Sequence, residues 1–278
     1  MTTKQLLDYQ KIFESKEWKT NPLYEHVEKK MLNLFSNLNN AEIDLVLELL
    51  ENFTWIGNNQ YDKKILDIFR KIDNELIKKA EKFYFFPVVK PYDSHKLKSG
   101  LSLIYPVVGI INYIEDLDHI DKSGDNIITK YKSLRKLNLK ENEFLILVDD
   151  FVGSGKTFET CIKTIESYEI PLEQVILISI AIQNEGLDLV NEKKIKAYYS
   201  HIEKKGITDY FVDENQSRRK SLMKLMERKL KFKSKFSLGF EESEALLSLI
   251  RTPNNTFPIF WHEYYDKETI QKAPFPRY

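Results

Sequence analysis

The chain is short of glycine, of cysteine and of net charge. Nine glycines in 278 residues is roughly half the usual share of about 7%, so the place of each one carries information. A single cysteine, Cys161, excludes an internal disulfide framework and a cysteine-based zinc site. Lys+Arg and Asp+Glu both number 42, which argues against a dedicated nucleic-acid coat while leaving room for a local basic face. There is no apolar run of about 18 residues, as a membrane-spanning helix would need. The opening MTTKQLLDYQKIFESKEW carries acids and has no signal-peptide apolar centre, so the cytoplasm is the expected location and no membrane partner is expected. What is present is enough for a core: 42% hydrophobic against 30% charged residues excludes a disordered chain. The length fits one large domain, or one core with an appendage.

Residues 1–82 read as helical. In 61–82, Ile65, Ile68, Phe69, Ile72, Leu76, Ile77 and Ala80 follow the three-and-four spacing of one helix face. Segments 24–38 and 41–53 are similar, with Asn39 and Asn40 as break and cap. At 83 the texture changes: FYFFPVV is strand-like, with Pro87 demoting it towards an edge or a strand end. GLSLIYPVVGIINYI is apolar without clean periodicity and stays unassigned, and 127–140 reads as a short basic helix. A regular stretch follows: strand FLILV (144–148), turn DDFVGSG (149–155), helix 156–168, strand VILISIAI (175–182), helix 185–194 and strand 195–201. This alternation predicts an α/β fold with a parallel sheet and right-handed crossovers. Cys161 falls on the apolar face of the helix after the turn, as an inert core residue would.

The chemistry concentrates in FLILVDDFVGSGKT (144–157). A buried strand ends, two carboxylates follow, and a loop with Gly153 and Gly155 leads to Thr157 at a helix start. Loop and first-turn amides form an anion site helped by the helix dipole, glycines let backbone approach a phosphate, and Ser154 and Thr157 add hydroxyls. Adjacent carboxylates at the end of a buried strand are costly if unpaired, and make sense if they accept hydrogen bonds from a sugar diol or hold a metal. A phosphate pocket beside a diol acceptor is a ribose-5-phosphate site, and in open α/β sheets such sites lie beyond the carboxyl ends of the strands. Two other readings stand beside it. Gly155-Lys156-Thr157 matches the end of a P-loop, but its first glycine would fall at Asp150, and an acidic pair repels a triphosphate. The segment also fits an ordinary β–α turn with solvated acids.

FLILVDDFVGSGKT resembles the phosphoribosyl-pyrophosphate (PRPP) motif of type I phosphoribosyltransferases: a hydrophobic run, two acids, then a small-residue loop. LSLIRTPNNTFPIFW (247–261) resembles the C-terminal signature of the bacterial conflict-system group of these proteins, PRTase-CE. The resemblance implies a phosphoribosyltransferase-like core at 83–206 with helices on both faces of its sheet, an N-terminal helical region at 1–82, and a C-terminal basic helix and hood-like extension at 207–278 packed on the core. It implies that Asp149 and Asp150 bind the ribose hydroxyls, that Val148, Phe151, Val152, Gly153, Ser154, Gly155, Lys156 and Thr157 complete the phosphate site, and that Mg2+ arrives with PRPP rather than in an all-protein site. The reaction would be displacement of pyrophosphate at ribose C1. The group is implicated in anti-phage systems, including some retrons, so a defence effector with partner proteins is the implied setting. One departure stands out. Purine-type enzymes place an aspartate base where this chain has Gly153, so the acceptor is another molecule, or the protein senses PRPP without turnover.

Weaker candidates complete the reading. Lys98, Ser99 and Gly100 follow the first core strand, where the family contacts pyrophosphate. Asn254 and Asn255 sit in a Pro/Asn turn between apolar anchors, as pocket residues would. Residues 217–235 carry nine cations with Glu227 alone opposing. With Leu222, Leu225, Met226 and Leu230 they suggest an amphipathic helix whose basic face is solvated, or meets nucleic acid, or meets a partner, another copy of the chain included.

Overall fold

The computed structural model describes residues 1–93, 99–121, 123–266 and 269–277, with Ser99 described by its backbone alone. In chain order its elements are α1 (Thr3–Ser15), α2 (Tyr24–Phe35), α3 (Asn40–Asn52), β1 (Thr54–Trp55), α4 (Tyr61–Phe69), α5 (Asn74–Lys79), β2 (Lys82–Pro87), α6 (Ser99–Ile111), α7 (Tyr131–Leu134), β3 (Glu143–Val152), α8 (Lys156–Glu166), β4 (Val175–Gln183), α9 (Asn184–Glu192), β5 (Lys196–Glu203), α10 (Asp213–Lys229), β6 (Leu247–Ser248), α11 (Pro258–Trp261), β7 (Tyr264–Asp266) and β8 (Thr269–Gln271). Short 3-10 turns join several of them. Among the described residues no helix is long and apolar enough to cross a membrane.

The chain divides into two compact units, Gln60–Ile202 and Met1–Asn59 with Glu203–Tyr278. This differs from the three-part division expected at 82 and 206. Both chain ends feed one hydrophobic core, in which Tyr9, Phe13, Met31, Leu34, Val46 and Phe53 meet Met223, Met226, Phe257, Phe260 and Phe275. The division therefore follows shared burial rather than sequence order.

The 60–202 unit carries the predicted α/β architecture. Its sheet has the order β2-β3-β4-β5, and β2 pairs with β3, and β3 with β4, in parallel. Helices cover both faces, as the alternation of side chains along β4 shows. Val175 and Leu177 join Phe158, Cys161, Ile162 and Ile165 of α8, while Ile178 and Ile180 meet Ile65 and Ile68 of α4 and Leu103 and Val107 of α6. β2 is an edge strand with Pro87 as its last residue, opposite Val148. That is where a residue without an N–H costs no ladder bond.

Two of the helices expected from sequence are shorter than expected, and the unassigned segment is a helix. The helix expected over 61–82 breaks into α4 and α5, because the break is tied to β5: the Asp73 amide donates to the Tyr198 hydroxyl (3.4 Å) and Lys196 Nζ donates to the Asp73 carboxylate (2.5 Å). The helix expected over 127–140 shrinks to α7, because Ile127 and Ile128 pair with Phe85 of β2 instead. The unassigned apolar segment is α6 with Pro106 inside it. Its buried residues Leu103, Ile104, Val107 and Ile111 follow helical spacing, masked in sequence because the positions between them are apolar too.

The other unit is built from α1–α3, α10 and the C-terminal segments. Thr2 with Gln5 and Asn39 with Glu42 form capping boxes at the starts of α1 and α3, so the expected cap at 39–40 is present. β1 and β6 pair in parallel. The basic segment forms α10, but its buried face is Met223, Met226 and Leu230, whereas Leu225 is exposed. Four of its cations pair with acids of the same unit: Arg219 with Glu48, Lys220 with Glu244, Lys224 with Glu242 and Lys229 with Glu42, each at 2.7–2.8 Å.

Candidate functional site

The site lies at the carboxyl end of β3. The strand runs on to Val152, four residues past its expected end, because β4 continues in register beside it: Asp149 opposes Ser179, Phe151 opposes Ala181 and Val152 opposes Ile182. Asp149 and Asp150 are therefore strand residues rather than turn residues, and both are buried, at 8% and 7% exposure. Asp149 Oδ1 accepts the Asp150 amide at 2.9 Å. Burial, and then the neighbouring Asp150 carboxylate, hold the Asp149 carboxyl well above the usual carboxylate range, against the pull of the Asp150 and Phe151 amides. Two oxygen-rich side chains crowded into a low-dielectric place gain from any hydroxyl donor or hard cation that reaches them.

The loop after the strand is held from two sides. Gly155 caps α8 in the left-handed region, at φ 75, where only glycine sits without strain. The cap residue is a glycine and brings no side chain to the helix start, which carries the positive end of the helix dipole. Lys156 and Thr157 are exposed, and Ser154 is half-buried. Gly186, in the first turn of α9, presses against the loop: a Cβ there would lie 2.5 Å from the Gly153 carbonyl oxygen and 2.9 Å from that of Val152. At the other side, a Cβ on Gly100 in the first turn of α6 would lie 2.7 Å from the Val148 carbonyl oxygen and 3.5 Å from Asp149 Oδ1.

The fold thus gathers Val148 to Thr157 with Gly100. Lys98 lies outside the described residues and Ser99 is placed only as the first residue of α6. Asn254 and Asn255 belong to the other unit. There the turn is anchored by the Asn255 carbonyl, which accepts the Ser243 hydroxyl at 2.9 Å, and by the Thr256 carbonyl, which accepts Trp261 Nε1 at 2.7 Å. Sequence reasoning missed Gly186 and Ser179. The signal for Gly186 was present, since a scarce residue stands four positions after the buried strand 175–182. Cys161 is buried behind this site, and burial pushes its thiol up to about 11, as an unreactive core residue.

A family model for PRTase-CE matches residues 27–276, nearly the whole chain and both of its units. The chain belongs to the PRTase-CE family. Among solved structures, this PRTase-CE protein is similar to the AQ2163 protein from Aquifex aeolicus, with 14% identity and a TM-score of 0.32 over 66% of this chain and 84% of that one, a likeness too slight to argue from. No curated protein matches it. Membership of PRTase-CE agrees with a phosphoribosyltransferase-like α/β core.

Proposed function

We propose that the protein binds PRPP with magnesium at the end of β3 and transfers its phosphoribosyl group to an acceptor, with release of pyrophosphate. The observation that carries this reading is the buried Asp149–Asp150 pair beside a glycine loop and a helix start capped by Gly155. The donor types fit the sugar phosphate: carboxylates for two hydroxyls, amides for the 5′-phosphate. They also fit a hard divalent cation shared with the ribose hydroxyls, since a carboxyl crowded against a second carboxylate gains from positive charge brought beside it. When bound, magnesium would neutralise the leaving pyrophosphate. The chain's share is to orient C1 by gripping the diol and the 5′-phosphate on either side of it. Exclusion of a P-loop rests on Asp150, which stands where that loop needs its first glycine and is buried in the strand.

Titration calorimetry with PRPP and magnesium tests the proposal. Micromolar binding that is lost in Asp149→Ala/Asp150→Ala is expected. Unchanged affinity in that variant, or ATP binding lost in Lys156→Ala without any PRPP binding, would refute it. The second reading, a PRPP sensor without turnover, is favoured by Gly153, which leaves no carboxylate in the loop to take a proton from an acceptor. Binding without pyrophosphate release, whatever acceptor is supplied, would select it. An effector role in bacterial anti-phage defence, as in a retron, is supported by the family resemblance, and is tested by phage plating on cells carrying the gene with its neighbours or its Asp149→Ala variant.

A further inference from the structure

The unit formed by residues 1–59 and 203–278 contains a cavity of about 640 Å³, within the size range of small-molecule sites. One wall is a face of α2 and the turn before it. Leu23, His26, Val27 and Lys30 line the cavity at the i, i+3, i+4, i+7 spacing that brings side chains to one side of a helix. The opposite wall is aromatic: Trp55 and Phe275 meet edge to face, with ring centroids 5.3 Å apart. Asn21, Asn58 and Asn59 add carboxamides, and Gly57 lets this end close up, since a Cβ there would lie 2.1 Å from Asn21 Nδ2.

The charges in the cavity point one way. No aspartate or glutamate lines it, and Lys30 has no carboxylate partner among the described residues. Burial, and then the neighbouring Lys272, hold its ammonium below the usual lysine range, whereas Lys272 itself pairs with Glu263. A half-buried cation without a counter-ion gains strongly from an anion that enters beside it. The aromatic residues line the cavity with apolar surface against which a planar ring can pack, and carboxamides both donate to and accept from a base edge.

We propose that this cavity is a binding site for a nucleoside monophosphate, with its phosphate at Lys30 and His26 and its base between Trp55, Phe275 and the asparagine carboxamides. The site is independent of the PRPP reading, because every residue lining it lies in the other unit.

The test uses the full-length protein. Calorimetry is run with AMP, GMP, CMP and UMP on Asp149→Asn/Asp150→Asn, in which the β3 site is silenced, and on the same protein carrying Lys30→Met. At least one monophosphate is expected to bind with one-to-one stoichiometry, at least tenfold more weakly in Lys30→Met. The matching nucleoside should bind at least tenfold more weakly than its monophosphate and be indifferent to Lys30→Met. Circular dichroism melts of Lys30→Met should have a midpoint no lower than the parent's, because Lys30 makes no ion pair among the described residues and its burial disfavours the charge that the substitution removes. The absence of binding by all four, or binding unaffected by Lys30→Met, would overturn the site. So would binding present in the wild type and lost in the Asp149→Asn/Asp150→Asn protein, which would place the nucleotide at β3. Inorganic phosphate alone competing as well as the nucleotide would also overturn it, by removing the base from the recognition.

Discussion

Two glycines of one helix should respond oppositely to the same substitution. Replacing an unhindered helical glycine by alanine gains about 0.5–1 kcal/mol, because alanine loses less backbone entropy on folding. Gly109 of α6 has nothing within 4 Å of a Cβ, so Gly109→Ala should be more stable by that amount. At Gly100, in the first turn of the same helix, the Cβ would stand 2.7 Å from the Val148 carbonyl oxygen. That atom is backbone, and it accepts the Val88 amide at 2.9 Å, so it cannot swing aside as a side chain would. Overpacking of this kind costs about 1–3 kcal/mol, which outweighs the entropic gain. Gly100→Ala should therefore be about 1 kcal/mol less stable than the wild type, and about 2 kcal/mol less stable than Gly109→Ala. Urea melts followed by circular dichroism measure both. Gly100→Ala should also weaken PRPP binding, since relief of the clash moves the first turn of α6 or the carbonyl just before Asp149. Equal shifts of the two variants in the same direction would refute the close packing of α6 against the end of β3.

Other outcomes follow from buried charge. The Asp149 carboxyl is raised, so its contribution to stability is complete at low pH and is lost as pH rises through the folded-state value. Asp149→Asn should thus be more stable than the wild type at pH 8, with a gain that shrinks on acidification, while PRPP binding falls at least tenfold. Glu227, which accepts the Ser237 hydroxyl at 2.6 Å and the Leu238 amide at 3.0 Å, is raised by burial to about 7. The wild type should lose stability between about pH 4.5 and 7, by at most about 3.5 kcal/mol at about 1.4 kcal/mol per pH unit, and Glu227→Gln should flatten that slope in thermal melts. Arg219 grips Glu48 through two nitrogens at 2.7 and 3.0 Å and lies 3.9 Å over the Phe211 ring. Arg219→Ala should cost about 1–2 kcal/mol, and a double-mutant cycle with Glu48→Ala should show coupling.

The α/β alternation from 144 to 203 was legible because β3 and β4 begin as continuous apolar runs and each helix is a periodic one, and neither pattern needs a distant partner to be recognised. The acid pair and the glycine loop were legible for a related reason: a strand, two carboxylates, a tight loop and a helix start are adjacent in the chain, so local chemistry suffices. What distant segments decide was not legible. α6 was hidden because nearly every position in it is apolar. The break at 70–73 depends on Tyr198 and Lys196, more than 120 residues away. The extension of β3 through Asp149 and Asp150 needs β4 beside it, and that extension is what buries the two acids. Four of the nine glycines, Gly100, Gly153, Gly155 and Gly186, surround the end of β3. Sequence alone determined the loop pair by its spacing, and the family resemblance pointed to Gly100. Only the tertiary structure brought in Gly186, because the need for a glycine there comes from the approach of the β3 loop, a distant segment of the chain. The same holds for the cavity lined by Lys30, Trp55 and Phe275, whose walls come from both ends of the chain and meet only through burial in a shared core.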